Sequence, residues 1–411
     1  MSDKSSKKDV AERRDVRQEV TDSILAKLEQ GVMPWRKGWT DGEPKPLMLP
    51  QNGESGKTYR GGNRLHLMAI MQSQGYDDPR FMTFNQLRAW EAGPQKGSRG
   101  YPVEYWERLP FWKRRDVEVT LNGSRVQVHD ARSDGMTPVA VIGAERREVP
   151  ANHFDVRAPD GSVMRWARAE RELDVLYAKH STVFNLAQCQ GIEKYLEARP
   201  FELPKRTEVQ LDASMDGIVK GMQATGLQVR FEEQNRAFYR PSSDLIVMPD
   251  PKQFSDVREF RSTLLHELGH ATGHASRLNR EGIVAGDGFG GPKYAREELV
   301  AELASAFMAA ETGIDRIDDS HASYIGHWME ALKAKDGKHV LYETARDADK
   351  ATDYMLDAAS RSVEQAVEQP LEKAQKQERE EREEREKKQD REGPAAPPKR
   401  RRREVDHGMS L

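Results

Sequence analysis

Residues 263–274 read TLLHELGHATGH and contain the pattern His-Glu-x-x-His at His266, Glu267 and His270. On a helix, residues four apart lie on one face, so both imidazoles can reach one metal ion at ~2.1 Å. Glu267 lies beside them, in position to take a proton from water. The alternative is a surface helix with scattered histidines. The predicted helix also has an apolar face, which favours the metal site. The residues of this face are Phe260, Leu264, Leu265 and Leu268.

A catalytic zinc needs a third protein ligand and one open position. The next predicted helix carries Glu298 and Glu302, which are four residues apart and share a face, whereas Glu297 lies on a different one. Several zincin groups use a glutamate ligand followed four residues later by an acidic residue that holds a histidine ligand. By that resemblance we predict Glu298 as the third ligand and Glu302 as the supporting residue, with the reverse assignment open. Such a ligand set suits Zn²⁺ and also Mn²⁺.

Three neighbouring features extend this predicted site. His274 lies one turn beyond His270 and either supports the site, faces the substrate, or is a helix-terminal histidine favoured by the helix dipole. The apolar stretch Leu245–Met248 predicts a strand, and this strand offers a sheet edge for an extended peptide. The glycine-rich residues 282–291 form either a flap over the site or a plain loop.

Residues 56–115 combine local positive charge with aromatic side chains. They hold 11 lysine and arginine residues, five acidic residues and ten aromatic residues. Such interleaving suits single-stranded nucleic acid, because cations meet phosphates while unstacked bases lie on rings. The alternative is that most of these rings are ordinary core. The side chains that we predict to contact DNA are Lys57, Tyr59, Arg60, Arg64, Arg80, Lys96, Arg99 and Trp106.

Composition narrows the class of protein. The chain has 411 residues, a formal net charge of −3 and a single cysteine, Cys189, which excludes a disulfide framework and a cysteine-type zinc site. No apolar run approaches the ~20 residues of a membrane span, and the N-terminus lacks the apolar core of a secretory signal. We therefore expect a cytosolic protein without a membrane partner. Its 32% charged residues indicate that part of the chain is not packed.

The order of patterns along the chain predicts an α+β protein with four parts. A polar arm at 1–14 precedes an α+β part at 15–198, in which the turn sequences at 122–123 and 160–161 each predict a hairpin. A more helical part with a small sheet follows at 199–360, where a helix is predicted from Ser255, its N-cap, through the histidine motif. Residues 361–411 form a charged tail that cannot bury enough apolar surface to fold alone.

Eight blocks, taken in order, resemble the ArdC-type antirestriction proteins of conjugative plasmids and related mobile elements. These blocks are Asp15–Trp39, Gly56–Leu67, Gly93–Trp106, Ser181–Gly191, Tyr239–Pro249, His266–Leu278, Tyr294–Phe307 and His321–Leu332. Residues 113–172, which contain both predicted hairpins, are longer than the link that is usual in the family. The charged tail is also an addition to the pattern of the family. These departures affect the domain boundaries rather than the resemblance.

The resemblance implies a non-specific single-stranded DNA-binding domain at 15–198 and a zincin-like metallopeptidase domain at 199–360. It also implies protection of incoming conjugative DNA from host restriction in the bacterial cytoplasm. Three functions are compatible with it. The chain shields DNA, or it is a zinc metallopeptidase that cleaves a host restriction or regulatory protein, or its metal serves only to hold helices together. We favour shielding with an attached metal site, so whether the chain is an enzyme stays open.

Overall fold

The computed structural model describes residues 15–33, 35, 47–132, 139–143, 146–202, 206–286, 291–314 and 325–362. The predicted arm at 1–14 and the predicted tail from residue 363 onward lie outside the described residues. Within them, no helix combines the length and the apolar composition of a membrane span.

Helices occur in both halves of the chain and account for most of the second half, as predicted. They are α1 (Val16–Glu29), α2 (Gly61–Gln74), α3 (Phe84–Ala89), α4 (Trp166–Glu172), α5 (Glu193–Ala198), α6 (Glu208–Ala224), α7 (Val257–Ala271), α8 (Glu281–Val284), α9 (Pro292–Thr312), α10 (Ile325–Lys333) and α11 (337–362). The helix of the histidine motif begins one position later than predicted. Its N-cap is Asp256, whose side chain accepts a hydrogen bond from the backbone N–H of Arg258, and not Ser255.

The structure describes sixteen strands, thirteen of which lie in the first half of the chain. They are β1 (Gln51–Asn52), β2 (Arg80–Thr83), β3 (Gly93–Pro94), β4 (Tyr101–Leu109), β5 (Glu118–Leu121), β6 (Ser124–Arg125), β7 (Val128–Arg132), β8 (Val139–Ile142), β9 (Arg147–Pro150), β10 (Phe154–Arg157), β11 (Val163–Arg165), β12 (Val175–Asn185), β13 (Cys189–Gln190), β14 (Gln228–Glu232), β15 (Phe238–Arg240) and β16 (Leu245–Pro249). They form sheets in the orders β1-β2-β12-β4, β11-β10-β5-β6, β7-β8-β9 and β14-β16-β15, and β13 pairs with β3.

Both predicted hairpins are present. Asn122 and Gly123 have φ angles of 50° and 79° and connect β5 to β6. A two-residue turn with both φ angles positive matches the twist of the paired strands, which is why asparagine and glycine are favoured there. Gly161 lies in the turn between β10 and β11 with a φ of 84°. The α+β prediction is confirmed by this mixture of helices and sheets.

Four hydrophobic clusters hold the described residues together. The largest combines α1 and Trp35 from the first half with α6, α7, α9, α10 and α11 from the second. A separate cluster contains Phe111, Phe154 and Trp166, so most of the additional segment 113–172 folds around a core of its own. The domain boundary at residue 198 stays a prediction, but the main core contains side chains from both sides of it.

Candidate metal centre

Helix α7 presents the histidine motif toward α9. Its apolar face, which includes Leu264, Leu265 and Leu268, is buried in the main core. At Gly269 the two helices approach closely, since a Cβ atom there would lie 3.1 Å from the Cα of Ala301. This approach brings the motif against the glutamates of α9.

His266, His270 and Glu298 form one compact set of ligand atoms. The two Nε2 atoms are 3.1 Å apart, and each lies 3.5 Å from a different carboxylate oxygen of Glu298. Ligands held tetrahedrally at ~2.1 Å from an ion are separated by roughly 3.4 Å. The three side chains therefore fit one divalent ion. That Glu298 is the third ligand stays a prediction. Among the described residues, these three are the group of acidic and histidine side chains that fits a metal.

Glu302 lies behind His266, on the side away from the ligand atoms. One of its carboxylate oxygens is 3.8 Å from Nδ1 of His266, and the other accepts a hydrogen bond of 3.2 Å from the indole N–H of Trp35. Both Glu302 and Trp35 are fully buried. A carboxylate in this position orients an imidazole and fixes which ring nitrogen faces the metal.

Glu297, which the helical spacing places on a different face, also belongs to the site. Its carboxylate lies 3.4 Å from Nδ1 of His270 and accepts hydrogen bonds from the guanidinium of Arg280 at 2.5 and 2.9 Å. Arg280 also donates to Thr272 and to the carbonyl oxygen of Gly269 on α7. Sequence spacing missed Glu297 and Arg280 because neither pairing is local, and no short motif marks them.

Glu267 faces a cavity of about 520 Å³ that it shares with His266, His270 and Glu298. The backbone N–H of Tyr239 on β15 lies near the carboxylate and lowers its pKa slightly. Burial raises the pKa of Glu267 above its usual range. The carboxylate thus borders the same space as the ligands, as a proton acceptor requires.

The sheet edge beside this cavity differs from the prediction. Strand β16 is central in its sheet, so Leu245–Met248 cannot receive an extended peptide. Its neighbour β15 is an edge strand, and Phe238 and Tyr239 on it line the cavity. From the glycine-rich segment, Gly282 and Ile283 also line the cavity, whereas residues 287–290 lie outside the described part of the chain.

His274 does not join the centre. Helix α7 ends at Ala271, and the Nδ1 atom of His274 contacts the hydroxyl of Ser276 at 2.8 Å instead. His274 is not among the residues that line the cavity. The prediction that it supports the metal is therefore wrong, because its ring contacts Ser276 and not a ligand. That it faces the substrate stays a prediction.

Neighbouring carboxylates favour protonated histidines in the absence of metal. Burial opposes the positive charge on His266, but the neighbouring carboxylates of Glu298 and Glu302 outweigh it and raise the pKa to about 9. For His270, burial is outweighed by the charge of Glu298 and by Glu297, so the pKa rises to about 10. At neutral pH, a metal ion must therefore displace protons from the site.

We expect the apparent affinity for Zn²⁺ or Mn²⁺ to rise between pH 6 and pH 8, by about tenfold per pH unit for each proton displaced. The sign follows from the raised pKa values, because protonated imidazole cannot bind metal and its fraction grows as the pH falls. Competition with a chelator at three pH values measures the affinity, and proton release into weak buffer counts the protons. An affinity that does not change across this range would contradict the protonated state.

The predicted DNA-contacting residues separate into two groups. Lys57, Lys96 and Arg99 are exposed, and the ring of Trp106 is 57% exposed on β4. Arg60 is also exposed, but its guanidinium pairs with Asp353 on α11.

The other three predicted contacts are buried to different degrees. Arg64 is 1% exposed beside Asp349, and Arg80 is 6% exposed in an ion pair of 2.5 Å with Asp78. A phosphate cannot reach either guanidinium, so their prediction as DNA contacts is wrong. Tyr59 packs edge-on against Phe81 in a hydrophobic cluster, as expected for a core ring.

Two family models match separate parts of the chain. A family model for the N-terminal domain of the anti-restriction factor ArdC matches residues 14–184, and a model for zincin-like metallopeptidases matches residues 217–347. The uncharacterized protein y4eC of Sinorhizobium fredii is 30% identical over 342 residues, which cover 83% of this chain and 91% of that protein. The chain belongs to the ArdC antirestriction family.

Solved structures and longer relatives support the same assignment. The metal-free crystal structure of the antirestriction protein ArdC from plasmid R388 is 27% identical, with a TM-score of 0.57 over 85% of this chain and 99% of that one. Its Mn(II)-bound structure is 26% identical, with a TM-score of 0.56. DNA primase TraC of Escherichia coli is 33% identical over 359 residues, but the chain spans only 29% of that primase's length. The resemblance predicted from the sequence is thus confirmed.

Proposed function

We propose that this member of the ArdC family protects incoming conjugative DNA from host restriction in the bacterial cytoplasm. It does so by binding single-stranded DNA without sequence preference, and it carries a peptidase-like site for Zn²⁺ or Mn²⁺. Family membership is the observation that supports protection. The proposal assigns DNA contact to residues 15–198 and the metal to residues 199–360.

The exposed residues of the first half support contact with single strands. Trp106 and its neighbour Tyr105 are 57% and 44% exposed, and successive side chains of a strand point to opposite faces of the sheet. Each ring offers a platform on which an unstacked base can lie. Lys57, Lys96 and Arg99 are exposed cations for phosphates. Binding by these groups favours single strands and weakens steeply with salt.

Trp106→Ala tests this proposal. We expect it to weaken binding of a labelled single strand by ~1–3 kcal/mol, the usual contribution of one stacked base. A Lys96→Ala/Arg99→Ala variant should reduce the slope of log affinity against log salt by about 0.7 for each phosphate that is no longer neutralised. Lys220→Ala, an exposed lysine on α6, is the matched control and should bind like the wild type.

Protection of unmodified DNA that enters a restricting host should fall in the same order as single-strand affinity. Two results would contradict the proposal. One is equal affinity of the wild type for duplex and single strand at moderate salt. The other is full protection by variants that no longer bind DNA.

A second candidate is an active metallopeptidase that cleaves a host restriction or regulatory protein. The observation that favours it is that Glu267 faces the same cavity as the three ligands, beside the edge strand β15. A bound divalent ion would polarise a carbonyl group and lower the pKa of water. Glu267 would accept the proton on its carboxylate, and the free backbone edge of β15 would align an extended peptide. The two candidates differ in whether protection depends on Glu267.

A further inference from the structure

We infer that Trp35 is a positioning residue of the metal centre and that it acts through Glu302. The inference rests on the metal site of the proposed function. It adds that the first half of the chain contributes directly to metal affinity in the second half.

The contact that carries the inference is buried and specific. The indole Nε1 of Trp35 donates a hydrogen bond of 3.2 Å to one carboxylate oxygen of Glu302. The other oxygen lies 3.8 Å from Nδ1 of His266. Trp35 and Glu302 are both 0% exposed, so water cannot substitute for either partner. The three side chains form a continuous path from the N-terminal segment to a metal ligand.

These contacts can orient His266 for metal binding. With one oxygen bonded to the indole, the carboxylate of Glu302 directs its other oxygen toward Nδ1 of His266. A proton held at Nδ1 leaves the lone pair of Nε2 for the metal. Residues that orient a metal-ligating histidine in this way typically change metal affinity 10- to 100-fold when they are replaced.

Packing fixes the indole in its orientation. The ring of Trp328 on α10 lies 5.9 Å from that of Trp35, at an interplanar angle of 57°. Both belong to the main hydrophobic core. A ring that cannot rotate holds its N–H at a constant position, which is what a positioning role requires.

The two histidines differ in where their support comes from. His270 is supported by Glu297 and Arg280, both from the second half of the chain. His266 is supported by Glu302 together with Trp35, which comes from the part matched by the ArdC N-terminal family model. Without the N-terminal segment, the metal centre would lose the hydrogen bond that Trp35 donates to Glu302.

The test uses the full chain with Trp35→Phe, which keeps an aromatic ring in the core and removes the N–H donor. We expect affinity for Mn²⁺ and Zn²⁺, measured by chelator competition, to fall about tenfold. Trp166→Phe is the matched control, because Trp166 is equally buried in a different core and its N–H has no partner among the described residues. That variant should bind metal like the wild type.

A double-mutant cycle separates positioning from general packing. Glu302→Gln should also weaken metal binding, and adding Trp35→Phe to it should cause no further loss. A purely structural role would give additive losses and would overturn the inference, as would unchanged affinity in Trp35→Phe. If Trp35→Phe fails to fold, β-(3-benzothienyl)alanine at position 35 keeps the bicyclic shape and removes the N–H. A wild-type chain that binds neither metal would instead overturn the proposed site itself.

Discussion

Replacement of His266 by alanine is expected to weaken Zn²⁺ or Mn²⁺ binding about a thousandfold, whereas Glu267→Gln should keep the affinity of the wild type. His266 offers one of three ligand atoms that fit a single ion, and losing one such ligand costs about 4 kcal/mol. Glu267 belongs to the same cavity but not to the ligand set. Metal content after dialysis and chelator competition measure the difference.

The same two variants decide what the metal does. If shielding of DNA carries the function, Glu267→Gln should protect entering DNA like the wild type. If proteolysis carries it, protection should be lost while metal and DNA binding persist, because a general base contributes about 100- to 10,000-fold to the rate. If the metal only holds helices together, Glu267→Gln should remain functional and His266→Ala should lower the unfolding temperature. Metal binding that survives His266→Ala would contradict the ligand assignment.

Local patterns predicted the parts of this centre that depend on local geometry. The four-residue spacing of His266 and His270 places both on one face of α7, and the same spacing relates Glu298 to Glu302 on α9. The turn at Asn122 was predictable for the same reason, since its residues alone determine the backbone conformation.

Residues that act through distant partners were not predictable. Glu297 faces His270 because of how α9 packs across α7, and Trp35 reaches Glu302 across most of the chain. Burial is equally non-local. Arg64 and Arg80 resemble their exposed neighbours in the sequence, but packing against later segments encloses them. A count of basic residues cannot distinguish a cation for DNA from one that pairs with a buried carboxylate.

Arg64 joins the two halves of the chain through such a pair. Its guanidinium Nη1 lies 2.8 Å from Asp349 on α11, and its Nε donates to the backbone carbonyl of Tyr59 at 2.9 Å. Asp349 also accepts a hydrogen bond from the backbone N–H of Gly61. Burial lowers the pKa of Arg64 and raises that of Asp349, so the mutual attraction does not fully offset the loss of hydration. Burying the ion pair therefore costs free energy, and removing one partner while the other stays buried costs more.

We expect Arg64→Met to lower the free energy of unfolding by about 3 kcal/mol, because the buried carboxylate of Asp349 loses its nearer, buried cation and keeps the half-exposed Arg60, whose Nε lies 3.6 Å away. Methionine keeps an unbranched apolar stem beside Phe307, over whose ring the guanidinium lies at 4.9 Å. Adding Asp349→Asn should recover part of the loss, since it removes a buried charge that Arg60 compensates only in part and retains an acceptor for the N–H of Gly61. Urea unfolding of the wild type, both single variants and the double variant measures the cycle.

The pH dependence of the same loss provides an independent check on its cause. The pKa of Asp349 is already raised by burial, and removing Arg64 should raise it further. A carboxyl group with a raised pKa in the folded state binds a proton more readily there than in the unfolded chain, so folding gains stability as the pH falls. The deficit of Arg64→Met should thus shrink at lower pH, whereas the Asp349→Asn background should show no such recovery. A deficit below about 1 kcal/mol, or one that grows on acidification, would mean that Arg60 alone compensates Asp349 and that Arg64 does not hold the two halves together.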